Sequence, residues 1–109
     1  MGAAFITRRG TGGSTRLEPV KSTSGYRYVE WENLAVSTNT YFLIAESVYT
    51  DDGASDSHLE AFIENGEIEV LRGSLSQFSV QIGATSIRIT ASASNTTIAS
   101  SHTNLYRFC

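Results

Sequence analysis

Short runs of alternating apolar and polar residues, separated by turn-forming residues, fill the chain after position 25. The breaks are Gly, Asn, Asp and Ser, and they recur at the spacing of roughly 8 to 12 residues that is typical of sandwiches and barrels. In the first run, Val29 and Trp31 alternate with Glu30 and Glu32, so a strand here would bury the first pair and expose the second. Helical periodicity is hard to find. The pattern predicts an all-β protein, an antiparallel β-sandwich or jelly-roll of seven or eight strands with a flexible N-terminal arm.

The run over residues 41–50 is apolar on both of its alternating faces. Phe42 and Ile44 would lie on one face, and Tyr41 and Leu43 on the other. A strand with two apolar faces needs cover on both sides, so we expect it to be central in its sheet.

The clearest local signal is the pair Asn65-Gly66, which lies between two runs of β-formers. Both central positions of a two-residue hairpin turn require a positive φ angle, and Asn and Gly tolerate it. Such a turn would pair Glu64 with Glu67 and Ile63 with Ile68, and would put Ala61, Ile63, Ile68 and Val70 on the core face.

The other face of this hairpin would carry Glu60, Glu64, Glu67 and Glu69, together with Phe62 and Leu71. Like charges directly opposed on neighbouring strands are destabilising, so we expect another group to offset them. Arginines of a neighbouring copy would do so. These four glutamates are therefore predicted to form an acidic docking face.

Charge is distributed unevenly along the 109 residues, whose formal net charge is −3. Residues 1–27 hold five basic residues against one acidic residue, a net charge of +4, while the remainder holds three basic against ten acidic, a net charge of −7. Residues 10–15 are rich in glycine, which disfavours both helix and strand, and predict a flexible connection. We therefore divide the chain into an extended basic arm, residues 1–20, and a β-sandwich body, residues 21–109.

The arm combines apolar and cationic side chains, and the residues predicted to mediate assembly are Phe5, Ile6, Arg8, Arg9 and Arg16. A basic, partly apolar arm on an acidic body favours docking on an acidic protein surface, which identical copies would supply. Nucleic acid is disfavoured as a partner because the chain as a whole is acidic, with a pI of about 5.2. Solvated disorder of the arm is the competing interpretation.

Other candidate sites are weaker. Residues 51–57 cluster three carboxylates and two hydroxyls, the oxygen ligands that calcium prefers, but their order does not match an EF-hand loop. The two histidines, His58 and His102, are too few for a three-histidine zinc site, and no serine lies in a nucleophile elbow. We therefore expect no catalytic residue, no metal and no cofactor. Tyr26 and Tyr28, on one face with the carboxylates of Glu30 and Glu32, could instead stack on a sugar ring and form a glycan-binding face.

The opening sequence MGAAFITRRG, residues 1–10, resembles the start of small tail and virion proteins from phages of Gram-positive bacteria, among which β-bodies rich in serine and threonine are common. The resemblance implies a non-enzymatic virion component, present as a ring or trimer at a tail, baseplate, collar or capsid surface. Its partners would be further copies of itself and other virion proteins.

These observations predict a structural component of a phage or phage-like particle, assembled in the host cytoplasm. The sequence shows neither an export signal nor an apolar run long enough to span a bilayer, so we expect no membrane partner. The alternative interpretation is a carbohydrate-binding adhesin module.

Overall fold

The computed structural model describes residues 14–20 and 27–108. These residues form nine β-strands and one 3₁₀ turn, Ser100–His102. The strands are β1 (Ser14–Leu17), β2 (Tyr28–Trp31), β3 (Thr40–Tyr49), β4 (Ser55–Glu64), β5 (Glu67–Gly73), β6 (Phe78–Ile82), β7 (Ile87–Ala91), β8 (Thr96–Ile98) and β9 (Asn104–Phe108). The all-β prediction is confirmed. The predicted count of seven or eight strands was too low, because β1 lies in the region assigned to the arm.

The nine strands form two antiparallel sheets that pack face to face. In the larger sheet β1, β9, β3, β4 and β5 lie side by side in that order, and β8 also pairs with β3. The smaller sheet has the order β2, β7, β6. Apolar side chains of both sheets fill the space between them and include Trp31, Leu43, Ile63, Ile87 and Ile89. The alternation of each strand thus produces a β-sandwich with one inner core.

β1 belongs to the body, although the glycine-rich sequence predicted a flexible connection through residue 15. Ser14 is paired with Phe108, and Leu17 with Leu105, across the β1–β9 ladder. The side chain of Leu17 packs against the core, and Trp31 Nε1 donates a hydrogen bond of 3.3 Å to the carbonyl of Leu17. An edge strand takes its hydrogen bonds from the neighbouring backbone, so weak local propensity did not prevent pairing.

β3 is central, as its two apolar faces predicted. It pairs with β4 along one side and with β9 and β8 along the other. Leu43 lies in the core between the sheets, while Phe42 lies on the outer face of the larger sheet, the face that points away from the smaller sheet.

The β4–β5 hairpin has the predicted register. Glu64 pairs with Glu67 and Ile63 with Ile68, and the pairing shifts by one residue between Glu60 and Ala61. Val70 departs from the prediction, since 39% of it is exposed rather than buried in the core. The reason is its position, because β5 is an edge strand of the larger sheet and the smaller sheet does not cover Val70.

Candidate functional site

The β4–β5 hairpin carries three of the four predicted docking glutamates around one pocket on the larger sheet. Glu64 and Glu67 are direct cross-strand partners, and Glu69 lies opposite Phe62. Together with Ile68 they line a cavity of about 270 Å³, which we call the acidic pocket. Cross-strand neighbours lie within about 5.5 Å of each other, so the carboxylates of Glu64 and Glu67 repel each other and favour a nearby cation. Oε2 of Glu64 also accepts a hydrogen bond of 3.2 Å from Oγ1 of Thr40. The pocket is therefore suited to a basic group attached to an apolar one.

The fourth glutamate, Glu60, has a different environment. Only 8% of the residue is exposed, and its Oε2 lies 2.8 Å from Nε2 of His58. The nearest described cation to Oε1 is Arg72, whose Nε lies 3.9 Å away, and no hydrogen-bond partner of Oε1 is found among the described residues. Glu60 is therefore a buried residue that contacts His58 of its own chain, and it is not an exposed part of a docking face.

Beside the acidic pocket, three phenylalanines form a second apolar cluster, separate from the core between the sheets. The aromatic cluster consists of Phe42, Phe62 and Phe108, which are 0%, 2% and 4% exposed. The ring centroids of Phe42 and Phe62 are 4.9 Å apart, and those of Phe62 and Phe108 are 6.0 Å apart. The partly buried Ile44 and Tyr106 pack against them. Phe62 belongs to both the cluster and the pocket, so the two features form one continuous surface.

Of the predicted assembly residues, Arg16 alone lies within the described residues. Its Nε donates to Oδ1 of Asn104 at 2.6 Å, and its Nη1 forms an ion pair of 2.6 Å with Glu18. Arg16 is therefore bound to its own chain on the outer face of the larger sheet. Phe5, Ile6, Arg8 and Arg9 lie outside the described residues.

The predicted glycan face lies on the opposite side of the sandwich, on the outer face of the smaller sheet. The guanidinium of Arg88 sits 4.2 Å from the centre of the Tyr28 ring. The same group donates from Nε and Nη2 to Oε1 of Glu30, at 3.0 and 2.8 Å. An open groove of about 590 Å³ runs past this pair and is lined by further polar groups, including Gln81 and Thr90. Tyr26 lies outside the described residues, so only half of the predicted tyrosine pair is placed.

The acidic segment 51–57, weighed above as a calcium site, is the turn between β3 and β4 and the start of β4. Within the described residues, no group of three or more Asp, Glu, His or Cys side chains is placed to hold a metal ion. The segment does act on Tyr49, because a hydrogen bond to Asp56 and the negative charge of that carboxylate raise the pKa of the Tyr49 phenol. The phenol thus keeps its proton to higher pH than an ordinary tyrosine.

Both histidines are paired with carboxylates. His58 contacts Glu60 as described above, and Nδ1 of His102 lies 2.9 Å from Oε1 of Glu46. Such contacts orient an imidazole ring, as a catalytic base would require. In the described part of the chain, however, no serine hydroxyl is hydrogen-bonded to either ring, so the arrangement provides no activated nucleophile there.

Comparison with known proteins adds no relative, because no family model, curated protein or solved structure matches this chain. No helix long and apolar enough to cross a membrane is found among the described residues.

The sequence interpretation missed the aromatic cluster. The sequence does contain a signal for it, because alternation puts Phe42 on one of the two apolar faces of a central strand and Phe62 on the glutamate-bearing face of the hairpin. Only the pairing of β3 with both β4 and β9 brings these two rings together with Phe108.

Proposed function

We propose that this protein is a non-enzymatic structural subunit of a phage or phage-like particle, which assembles with copies of itself and with other virion proteins through its N-terminal arm and its β-body. Tail, baseplate, collar and capsid surface are the locations that the resemblance of residues 1–10 suggests.

The observation that carries this proposal is the complementarity within one chain. Phe5, Ile6, Arg8 and Arg9 place apolar and cationic groups next to each other in the arm, whereas the acidic pocket places apolar and anionic groups next to each other on the body. Opposite charges of this kind steer association and set its register. A chain that carries both halves of such a pair can bind a second copy of itself.

The edge strand β5 supports the same proposal. Six of its seven residues are exposed, and the neighbouring Val70 and Leu71 are each 39% exposed. Exposed apolar side chains on an edge strand promote contact with another chain. Glu67 and Glu69 on the same strand would restrict that contact to a basic partner.

Removing the positive charge of the arm is expected to abolish self-assembly. The variant R8E/R9E repels the acidic pocket, so its mass by light scattering after size exclusion should fall to that of a single chain, whereas the parent protein forms a larger species. A second variant lacking residues 1–13 should behave in the same way. Circular dichroism checks that the β-fold is retained, and the control E32Q changes an exposed acid outside the pocket. A parent protein that stays a single chain at high concentration contradicts the proposal.

The groove on the smaller sheet supports the alternative, a carbohydrate-binding module. The Glu30–Arg88 pair offers a fixed carboxylate and guanidinium that could bind sugar hydroxyls, beside the Tyr28 ring. In that case a glycan array should show a ligand whose affinity falls at least about tenfold in R88Q and is unchanged in R8E/R9E, since one lost charge-assisted contact is worth about 1.5 kcal/mol. An array without any ligand removes this alternative.

A further inference from the structure

β6 is an edge strand whose outer side has no neighbour among the described strands. It pairs only with β7, the middle strand of the smaller sheet. Just before β6, the carbonyl of Gln77 accepts a hydrogen bond of 3.0 Å from the amide of Ser92. Just after it, the amide of Gly83 donates a hydrogen bond of 2.8 Å to the carbonyl of Ser86. Bonded and non-bonded pairs alternate in an antiparallel ladder, so Val80 and the other even-numbered residues of β6 direct their N–H and C=O groups away from β7.

This edge also lacks the features by which proteins keep other chains away from a strand. Charged side chains and bulges on an edge strand discourage the addition of a further strand. β5 carries Glu67, Glu69 and Arg72, and its pairing with β4 shifts by one residue. The other edge strands, β1 and β2, each carry one charged residue. β6 carries none, and its register with β7 is continuous over Phe78–Ile82.

The two sheets differ in width on the side of the sandwich where β6 lies. The larger sheet has five strands side by side, and the smaller sheet has three. The short link 74–77 joins β5 to β6, so the free edges of these two strands lie on the same side of the molecule. Val70 of β5, which alternation directs toward the smaller sheet, is nevertheless 39% exposed. The smaller sheet therefore leaves a strand-sized position open beside β6 and over β5.

The inward side chains of β6 border the same open position. Val80 and Ile82 pack against the core but are only partly buried. Their cross-strand partners on β7, Ile89 and Ile87, are 0% exposed. A strand on the free side of β6 would give Val80 and Ile82 the cover that β6 itself gives to β7.

We propose that the outer edge of β6 binds an extended segment of another protein, which adds to the smaller sheet as a fourth strand. The segment forms backbone hydrogen bonds with Val80 and Ile82 and lies over Val70. The folded body of a second copy does not fit, because it would bring its own larger sheet into the layer that β5 occupies. The inference goes beyond the proposed function, since it assigns a site that includes neither the arm nor the acidic pocket.

The edge also defines the chemistry of the segment. Cross-strand partners point their side chains to the same face, so the residues that bond to Val80 and Ile82 face inward and should be apolar. The residues between them lie beside Ser79 and Gln81 on the outer face, where Nε2 of Gln81 donates a hydrogen bond of 2.6 Å to Oγ of Ser79. Polar side chains suit these positions. The partner is therefore a segment with an apolar residue at every second position.

A synthetic peptide with the sequence of residues 86–92, SIRITAS, is the probe, because the same alternation already pairs with β6 as strand β7. In an NMR titration of the full chain, the amide signals of Val80 and Ile82 should shift, and hydrogen exchange at both amides should slow. N-methylation of the two isoleucines removes donors that face β6 and should weaken binding by about tenfold or more. N-methylation of the arginine and the threonine is the matched control. It removes N–H groups that point away from β6 and should change the affinity by less than about threefold.

Val80→Pro tests the same contact from the side of the protein. Proline removes an N–H on the open side of β6 and none of the bonds to β7, a position where an edge strand tolerates it. The peptide should bind about fivefold or more weakly to V80P, and within about threefold of the parent affinity to V80A, which keeps the amide. Unfolding followed by Trp31 fluorescence checks that both variants fold. The methylated peptides test the inference without any change to the protein.

Three results would overturn the inference. The first is a parent protein whose Val80 and Ile82 amides do not respond to the peptide at millimolar concentration, and the second is an equal loss of affinity in the two methylated peptides. The third is tighter binding at the same amides by a peptide of residues 1–13, which would assign the edge to this chain's own sequence. A protein that assembles but fails these tests leaves the proposed function standing. One that binds the peptide but never forms a larger species contradicts the proposed function alone.

Discussion

Replacing Gly73 by alanine is expected to lower the free energy of unfolding by about 3 kcal/mol or more, because the substitution combines backbone strain with a steric clash. Gly73 has a φ angle of +78°, and a Cβ atom there would lie 2.0 Å from the carbonyl oxygen of His58 and 2.8 Å from its carbonyl carbon. Both are backbone atoms of β4, so the clash can be relieved only by moving the strands apart. Urea denaturation of the parent and the variant measures the loss.

Gly66 provides a matched control for the clash. Its φ angle is +77°, close to that of Gly73, but no described atom outside Gly66 and its two chain neighbours lies within 4 Å of a Cβ built there. Gly66→Ala should therefore cost only the strain of a left-handed residue, about 1 to 2 kcal/mol. Equal losses in the two variants would show that β4 and β5 do not approach each other at Gly73 as closely as described.

Replacing Phe42 by alanine is expected to lower the free energy of unfolding by about 3 to 5 kcal/mol, the loss typical of a fully buried phenylalanine. A position on the outer face of a two-sheet sandwich would ordinarily face solvent and cost far less. Here Phe42 is completely buried, on the central strand of the larger sheet. Denaturant unfolding followed by Trp31 fluorescence measures the change.

Val70→Ala is the control for this second substitution, since Val70 is 39% exposed at the sheet edge and should lose less than about 1 kcal/mol. The test compares the losses in unfolding free energy, and Phe42→Ala should lose more than Val70→Ala. A Phe42 variant as stable as the Val70 variant would mean that the aromatic cluster is open to water.

The sequence predicted local structure well where one residue type has one conformational role. Asn65 and Gly66 both adopt positive φ angles, of 55° and 77°, and the two-residue turn sets every pairing as far as Ala61 with Val70. Side-chain alternation also placed Val29, Trp31, Ile87 and Ile89 in the core. These predictions depend only on neighbours in the chain.

The predictions that were wrong concern features set by contacts between residues or strands that are separate in the sequence. Pairing of Ser14 with Phe108 spans almost the whole chain, and neither segment signals the other. The exposure of Val70 reflects the unequal widths of the two sheets, which alternation within β5 does not encode. Likewise Glu60 was assigned to a docking face on periodicity, whereas its contact with His58 makes it part of the body. The docking and glycan surfaces stay predictions.

The position of β9 affects how the molecule can form. β9 lies between β1 and β3, although among the described strands β9 is the last in chain order and β1 is the first. Until β9 inserts, β1 has no neighbour among the described strands, and Tyr41 to Ile44 of β3 are paired on the β4 side only. The sheet therefore closes late, in a step that joins the most distant parts of the polypeptide and carries the large loop-closure entropy that slows folding. In a nascent chain whose residues from 104 onward are still inside the ribosome, β1 and one side of β3 would lack the hydrogen-bond partner that β9 provides.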